Sequence, residues 1–219
     1  MKKKHISRKN FLKQAGLGFV LTPLAAINMA TSSKEDNDIQ DTSKCGYTNS
    51  AAAGPFYVKN SPESVNINFT NLPGTPMKIT GKVLGGKGGS KPIKDAKIEV
   101  WHCDHKGKYH PQGSGDISNY DDAEIALRGT VFTDENGAYA FHSIKPGVYY
   151  GRRRHIHYKI TAKGYKPLIT QSYWLDEKGN QRERNDRTDR NTEDCRYIDF
   201  RDLGKDGWVG AFDIHLEKV

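Results

Sequence analysis

Residues 146–157 read PGVYYGRRRHIH, and more of the chain's fold and chemistry can be inferred from this stretch than from any other. His155 and His157 are two positions apart, so both imidazoles project from the same face of a β-strand. Tyr149 and Arg152 lie just upstream, close enough along the chain to reach the same place. Two imidazoles, an ionisable phenol and a guanidinium together indicate a site for a redox metal. Taken alone, the stretch also permits an exposed basic strand that happens to contain two histidines.

Around this stretch, short apolar runs alternate with turns. The chain has 219 residues, including 22 glycines and 9 prolines, so turns are frequent and long helices are not expected. Eleven tyrosines, eight phenylalanines and three tryptophans supply large side chains for a core. The length accommodates one domain and an appendage. We therefore predict a single all-β domain.

The strands are predicted from the spacing of apolar residues. Met77, Ile79 and Val83 alternate with polar residues, which indicates a strand with one buried face. Asp134–Gly137 lies between two apolar runs and predicts a hairpin turn. Residues 176–194 are almost wholly polar or charged and are predicted to form a surface loop. Seven or more short strands indicate a two-sheet β-sandwich; the other segments are residues 96–101, 130–132, 138–141, 155–161, 168–174 and 212–216.

The basic character of the chain comes from its N-terminus. Six lysines and arginines and no acidic residue lie in the first 30 residues, so the net charge of +8 falls to +2 without them. No basic face interleaved with aromatic residues follows, and we expect no nucleic-acid partner. An apolar run over residues 15–26 is too short and too interrupted for a membrane span. Residues 1–30 are therefore predicted to be an export signal of twin-arginine-like or general secretory type.

A polar segment and then the β-domain follow the expected export signal. Residues 31–45 are polar and poor in aromatics, which predicts a disordered tether, and residues 46–219 are assigned to the β-domain. We expect a periplasmic or extracellular protein, either released or held to the membrane by an uncleaved signal. Cys45, Cys103 and Cys195 permit at most one internal disulfide, and the sequence leaves all three pairings open.

Several segments occur together in an order and spacing that are typical of one protein family. They resemble the intradiol ring-cleavage dioxygenases, of the catechol and protocatechuate 3,4-dioxygenase type, and most closely the exported single-domain branch. The resemblance covers more than half of the chain and implies the β-sandwich of that family. The segments are GPFYV (54–58), WHCDHKGKY (101–109), LRG and TDENGAYAF (127–129 and 133–141), IKPGVY (144–149), HIH (155–157) and LITQ (168–171).

The resemblance implies a mononuclear, non-haem Fe(III) site. Carried over by motif, its four ligands are Tyr109, Tyr149, His155 and His157. The chemistry agrees, because phenolate is a hard anionic oxygen donor and imidazole also suits iron. The same resemblance implies an oxidoreductase that takes a catechol-type aromatic and O₂. It would cleave the ring between the two hydroxyl-bearing carbons and give a muconate-type diacid.

Three residues receive roles in the reaction from this resemblance. Tyr149 is expected to leave the iron when the catechol binds and to take up a catechol proton. Arg152 lies three positions before the first histidine and is expected to stabilise negative charge on a ring carbon. Gln171 aligns with an amide side chain of the family that lies next to the ligands and does not itself bind the iron. The oligomeric state stays open, with a homodimer as one alternative.

Each of these assignments has a plainer alternative. Tyr109 ends a polar turn, where a tyrosine is usually a surface residue. Tyr150 competes with Tyr149, although the Pro-Gly-x-Tyr pattern favours Tyr149. The arginines at positions 152–154 also fit a solvated run, and Trp101 fits the core better than a site. The rival function is a non-catalytic exported β-sandwich that binds carbohydrate or protein, and it requires Tyr109 and Tyr149 to diverge from the histidines.

Overall fold

Short β-strands joined by turns make up most of the structure. The computed structural model describes residues 45–87, 89–190 and 193–219, so the expected export signal and all but the last residue of the expected tether lie outside the described residues. No helix within these ranges is long and apolar enough to cross a bilayer. The described residues form the α-helix α1 (Gln181–Asn185) and several short 3-10 turns. Their strands are β1 (Val58–Lys59), β2 (Pro76–Gly85), β3 (Lys91–Pro92), β4 (Lys97–Trp101), β5 (Gly115–Asp116), β6 (Arg128–Phe132), β7 (Ala138–Ile144), β8 (His155–Thr161), β9 (Leu168–Trp174), β10 (Tyr197–Ile198), β11 (Arg201–Asp202), β12 (Trp208–Ala211) and β13 (Ile214–Leu216).

Two sheets pack face to face and confirm the predicted all-β sandwich. The first has the order β10-β9-β8-β4-β6, and the second has the order β11-β12-β2-β13, with β3 and β7 also paired to β2. Strands β1 and β5 form a separate pair. Ile98 and Ile156 from the first sheet share one buried apolar cluster with Ile79 and Phe141 from the second. The core therefore lies between the two sheets.

Strand β8 determines where the histidine pair lies. Ile156, Tyr158 and Ile160 are buried in the core between the sheets. His155 and His157 occupy the alternate positions and so project from the opposite face of the sheet. Both histidines are nevertheless buried, so loops cover that face. The site is therefore built on a rigid strand and closed by loops.

The predicted hairpin at Asp134–Gly137 is wrong. The turn itself forms, because the Asp134 carboxylate accepts hydrogen bonds from the backbone N–H groups of Asn136 and Ala138. The strands on either side do not pair with each other: β6 pairs with β4 in the first sheet, and β7 pairs with β2 in the second. The turn thus carries the chain from one sheet to the other.

The first described residues are tied to the β-domain. Cys45, which the sequence placed at the end of the tether, is buried and forms a disulfide with Cys195. The backbone N–H of Ala51 donates a hydrogen bond to the Ile169 carbonyl in β9. Cys103 is a buried free thiol. The segment that leads into the GPFYV motif is therefore held along the first sheet.

Candidate metal centre

Three of the four predicted ligand atoms meet at one buried point. The Tyr109 hydroxyl lies 3.1 Å from His155 Nε2 and 3.2 Å from His157 Nε2. All three side chains are about 2% exposed. The imidazoles come from β8 and the phenol from the turn after β4, so the fold brings together residues more than 40 positions apart. This geometry disagrees with the rival binding module, which requires Tyr109 to diverge from the histidines.

The histidines are held in the form that binds a metal. His155 Nδ1 lies 2.7 Å from the Arg153 carbonyl oxygen and donates to it, which leaves the Nε2 lone pair directed at the site. Burial lowers the pKa of His155 to about 3, and the positive charge of Arg152 adds to this effect. Burial likewise lowers the pKa of His157, with repulsion from His155 and Arg152 as further causes. Both imidazoles are therefore neutral at neutral pH, as ligation requires.

Tyr109 needs a nearby cation in order to ionise. Burial raises the pKa of its phenol, and the positive charge of Arg152 offsets only part of that increase. A phenolate with two neutral imidazoles is a donor set that suits a hard, highly charged ion such as Fe(III). The part of the chain that the structure describes contains no cluster of three His, Cys, Asp or Glu side chains of the kind a two-histidine–carboxylate site would need. The residues present therefore fit ferric iron.

Tyr149 is brought to Tyr109 by close packing between two turns. Gly147 lies so near the turn after β4 that a Cβ there would be 2.4 Å from the His105 carbonyl oxygen, so only glycine fits without a shift. The Tyr149 ring then lies edge-on to the Tyr109 ring, with centroids 5.4 Å apart. Tyr150 is 93% exposed. Of the two neighbouring tyrosines, Tyr149 is the one that lies at the site.

Aromatic rings form the walls around the ligand atoms. Trp101 stacks on His157 with centroids 4.8 Å apart and planes within 4°, so a residue assigned from the sequence to the core also contacts the site. Phe56 stacks on Tyr109 with centroids 4.4 Å apart. Gly54 has a φ of +70°, and a Cβ there would lie 3.5 Å from His157 Cε1. The GPFYV segment is therefore one wall of the site, and its glycine permits the backbone conformation at that wall.

Arg152 and Gln171 form one hydrogen-bonded unit beside the ligands. Gln171 is fully buried; its Nε2 donates to the Ala52 carbonyl at 2.7 Å, and its Oε1 accepts from Arg152 Nη2 at 2.7 Å. Arg152 Nε donates to both carboxylate oxygens of Asp186 at 2.9 Å. The charge of Arg152 contributes to the lowered pKa values of both histidines. Arg152 therefore places a fixed positive charge within electrostatic reach of the site.

The solvated-run alternative for the three arginines is wrong for Arg153. Its side chain is only 3% exposed and pairs with Glu183 at 2.7 Å. The predicted surface loop at residues 176–194 likewise buries Glu183, Asp186 and Asp189. Charged side chains are normally exposed, and the sequence gives no sign that these acids pair with arginines 30 or more positions away. Sequence reasoning therefore missed Asp186, which contacts Arg152 directly.

Comparison with known proteins shows the family to which the chain belongs. A family model described as Dioxygenase matches residues 52–181, a range that contains the four candidate ligands, Arg152 and Gln171. This match covers more than half of the chain. The chain belongs to the intradiol dioxygenase family. It therefore shares its fold with ring-cleaving oxidoreductases.

Individual family members support the assignment at moderate identity. Catechol 1,2-dioxygenase from Candida albicans is 32% identical over 155 residues, which are 61% of this chain and 49% of the relative. Chlorocatechol 1,2-dioxygenase from Rhodococcus opacus is 35% identical over 155 residues, 60% of this chain and 58% of the relative. The chain thus spans about half of the length of these curated relatives.

A solved structure covers the chain more fully. It is the dioxygenase domain of a dioxygenase and carbohydrate-binding protein fusion from the cellulolytic bacterium Streptomyces sp. SirexAA-E. The two are 29% identical with a TM-score of 0.64, and the match covers 79% of this chain and 99% of that domain. The β-sandwich of this chain therefore corresponds to a whole dioxygenase domain in that structure.

Proposed function

We propose that this protein is a ferric-iron-dependent intradiol dioxygenase. It inserts O₂ into a catechol-type ring and cleaves it between the two hydroxyl-bearing carbons, giving a muconate-type diacid. The observation that carries this proposal is the meeting of the Tyr109 hydroxyl with Nε2 of His155 and His157. The relatives are named for catechol, chlorocatechol and hydroxyquinol, which share two adjacent ring hydroxyls. That shared group defines the proposed substrate class.

Each residue of the site has a task in this reaction. Iron held by Tyr109, Tyr149, His155 and His157 would draw electron density from the bound catecholate and make a ring carbon reactive toward O₂. The imidazoles are already neutral and release no proton when they bind the metal. Tyr149 is only half-buried, and in its phenolate form its oxygen would take up one catechol proton and become a hydroxyl. Arg152 stabilises negative charge on the ring carbon, because its charge is fixed before the reaction begins.

Product analysis tests the proposal directly. The full chain, loaded with iron and supplied with catechol and ¹⁸O₂, is expected to give muconate with label in both carboxylates. An aldehyde product from cleavage beside the diol would overturn the proposal. Iron-loaded protein that consumes no O₂ with catechol, chlorocatechol or hydroxyquinol would overturn it as well. Tyr149→Phe should slow turnover, and Tyr150→Phe, which changes an exposed neighbour, is the matched control.

We further propose that the protein works outside the cytoplasm, in the periplasm or extracellular space. The Cys45–Cys195 disulfide supports this location, because disulfides persist mainly in oxidising compartments. The basic and apolar residues 1–30 support it independently. Cell fractionation should find the protein outside the cytoplasm with the disulfide formed. Recovery of only the reduced, cytoplasmic form would contradict the proposal.

A further inference from the structure

Arg152 is held at two separate points of its guanidinium group. Both carboxylate oxygens of Asp186 accept from Nε at 2.9 Å, and Gln171 Oε1 accepts from Nη2 at 2.7 Å. Among the described residues none accepts a hydrogen bond from Nη1. Two contacts on different nitrogens fix the plane of a guanidinium, because its donors form a rigid fork. Nη1 is thereby the nitrogen that stays available to a ligand.

The local backbone does not fix this side chain. The residues between β7 and β8 form neither strand nor helix. Tyr150 has a φ of +48°, and a Cβ added at Gly151 would find nothing within 4 Å, so this part of the connection is loosely packed. An arginine side chain has several rotatable bonds and samples many rotamers when it has no partners. The position of the Arg152 guanidinium therefore depends on Asp186 and Gln171.

Asp186 is itself anchored without help from the Arg152 side chain. Its side chain is fully buried. Its Oδ2 accepts from the backbone N–H of Arg153 at 3.3 Å, and its Oδ1 accepts from the backbone N–H of Thr188 at 3.0 Å. Asp186 directly follows α1, and its own N–H donates to the Glu183 carbonyl. The carboxylate thus links the end of the helix to the start of β8 and is a fixed point for Arg152.

We propose that Asp186 is a positioning residue that holds Arg152 so that Nη1 faces the substrate. The inference rests on the proposed function, in which Arg152 stabilises negative charge on the ring. The Asp186 carboxylate also lies 3.6 Å from Arg153 Nε, but in the proposed role it does not touch the substrate and acts through Arg152. A displacement of a catalytic group by about 1 Å can cost on the order of 10²-fold in rate, so the hold matters for turnover.

The test compares Asp186→Asn with Glu183→Gln in the iron-loaded full chain. Each change removes one negative charge from the same buried cluster and nearly preserves the side-chain shape, but Glu183 contacts Arg153 and not Arg152. In Asp186→Asn, kcat on catechol should fall by about 10²-fold while iron content is unchanged. Glu183→Gln should keep kcat within about threefold, since it leaves both contacts of Arg152 in place. In an Arg152→Ala background, Asp186→Asn should cause no further loss, because residues that act through one another are not additive.

A second readout needs neither iron nor turnover. Phenylglyoxal labels arginines, and labelling of Arg152 in the iron-free protein can be followed by mass spectrometry. Asp186→Asn should speed the labelling of Arg152 by about 10- to 100-fold, the factor that a hydrogen bond to a charged group is worth, and Glu183→Gln should not. This measurement keeps its meaning even if the wild type cleaves no catechol, so it separates failure of the positioning role from failure of the proposed function.

Asp186→Glu provides a second variant if Asp186→Asn does not fold. It retains the charge but moves the carboxylate by one methylene. As in Asp186→Asn, kcat should fall and the labelling of Arg152 should become faster. Equal losses of kcat in Asp186→Asn and Glu183→Gln would overturn the proposal. Unchanged labelling of Arg152, or a further loss of kcat in the Arg152→Ala background, would overturn it as well.

Discussion

Replacement of Arg153 by alanine removes the central cation of a buried acidic cluster. Its Nη1 donates to Glu183 Oε1 at 2.7 Å, and its Nη2 donates to the Asp189 carbonyl at 2.8 Å. The guanidinium carbon also lies 3.6 Å from the centre of the Tyr173 ring. The Arg153 side chain is 3% exposed, and Glu183 and Asp189 are each 7% exposed, so solvent screens these contacts little. Arg153→Ala therefore removes the 2.7 Å ion pair of the buried Glu183 carboxylate, while Asp189 keeps its pair with Arg196.

The expected loss of stability is large. Breaking a buried ion pair by removing one partner costs about 3–5 kcal/mol. For a domain of this size about 2–4 °C of unfolding temperature is lost per kcal/mol, so the midpoint should fall by about 6–20 °C. Thermal unfolding of the full chain, followed by circular dichroism, measures this. Lys166→Ala is the matched control, because Lys166 pairs with Glu217 at the same 2.7 Å but both side chains are about half exposed. Similar midpoints for the two variants would refute the reasoning.

Two further predictions concern pH and redox state. Burial lowers the pKa of His102 in the folded protein to about 4. Between about pH 6.5 and pH 4 this histidine is therefore protonated in the unfolded chain but not in the folded one. The free energy of unfolding should fall over that range as the pH drops, by up to about 3 kcal/mol. Denaturant unfolding across this range should show a weaker pH dependence in His102→Gln; an unchanged slope would contradict the assignment. Cys45→Ser should cost about 2–5 kcal/mol by opening the bond to Cys195. A reductant should destabilise the wild type but not Cys45→Ser, because the variant no longer has the disulfide that a reductant would open. Cys103 is a buried free thiol whose pKa burial raises to about 12, so it takes no part in this difference.

The strands could be predicted from the sequence because their signals are local. The alternation of Met77, Ile79 and Val83 places these residues on the buried face of β2. The His-x-His spacing likewise places both imidazoles on one face of β8. The pairing of strands is not local, and the turn at Asp134–Gly137 shows the difference. A turn forms there, but the strands on either side are not a hairpin, because β6 and β7 take partners from different sheets.

The candidate ligands could be named in advance, but their surroundings could not. Asp186 lies in a polar stretch, and nothing near it in sequence indicates that it pairs with Arg152, 34 positions away. Trp101 is a large apolar residue, which the sequence alone assigns to the core. Its stacking on His157 follows from the register between β4 and β8. The choice of Cys195 as the partner of Cys45 also depends on the folded chain, because their sequence separation of 150 residues carries no pairing signal. Contacts of this kind arise only from the tertiary fold.

The metal content and visible spectrum of the purified protein test the central claim most directly. The full chain, loaded with iron, should hold about one ferric ion and be red to burgundy, because phenolate-to-Fe(III) charge transfer absorbs visible light. Tyr109→Phe should shift or bleach this band and weaken iron retention, while Tyr150→Phe should leave both unchanged. A colourless protein that takes zinc and rejects iron would contradict the account. A band that is identical in the wild type and in Tyr109→Phe would contradict the placement of Tyr109 on the metal.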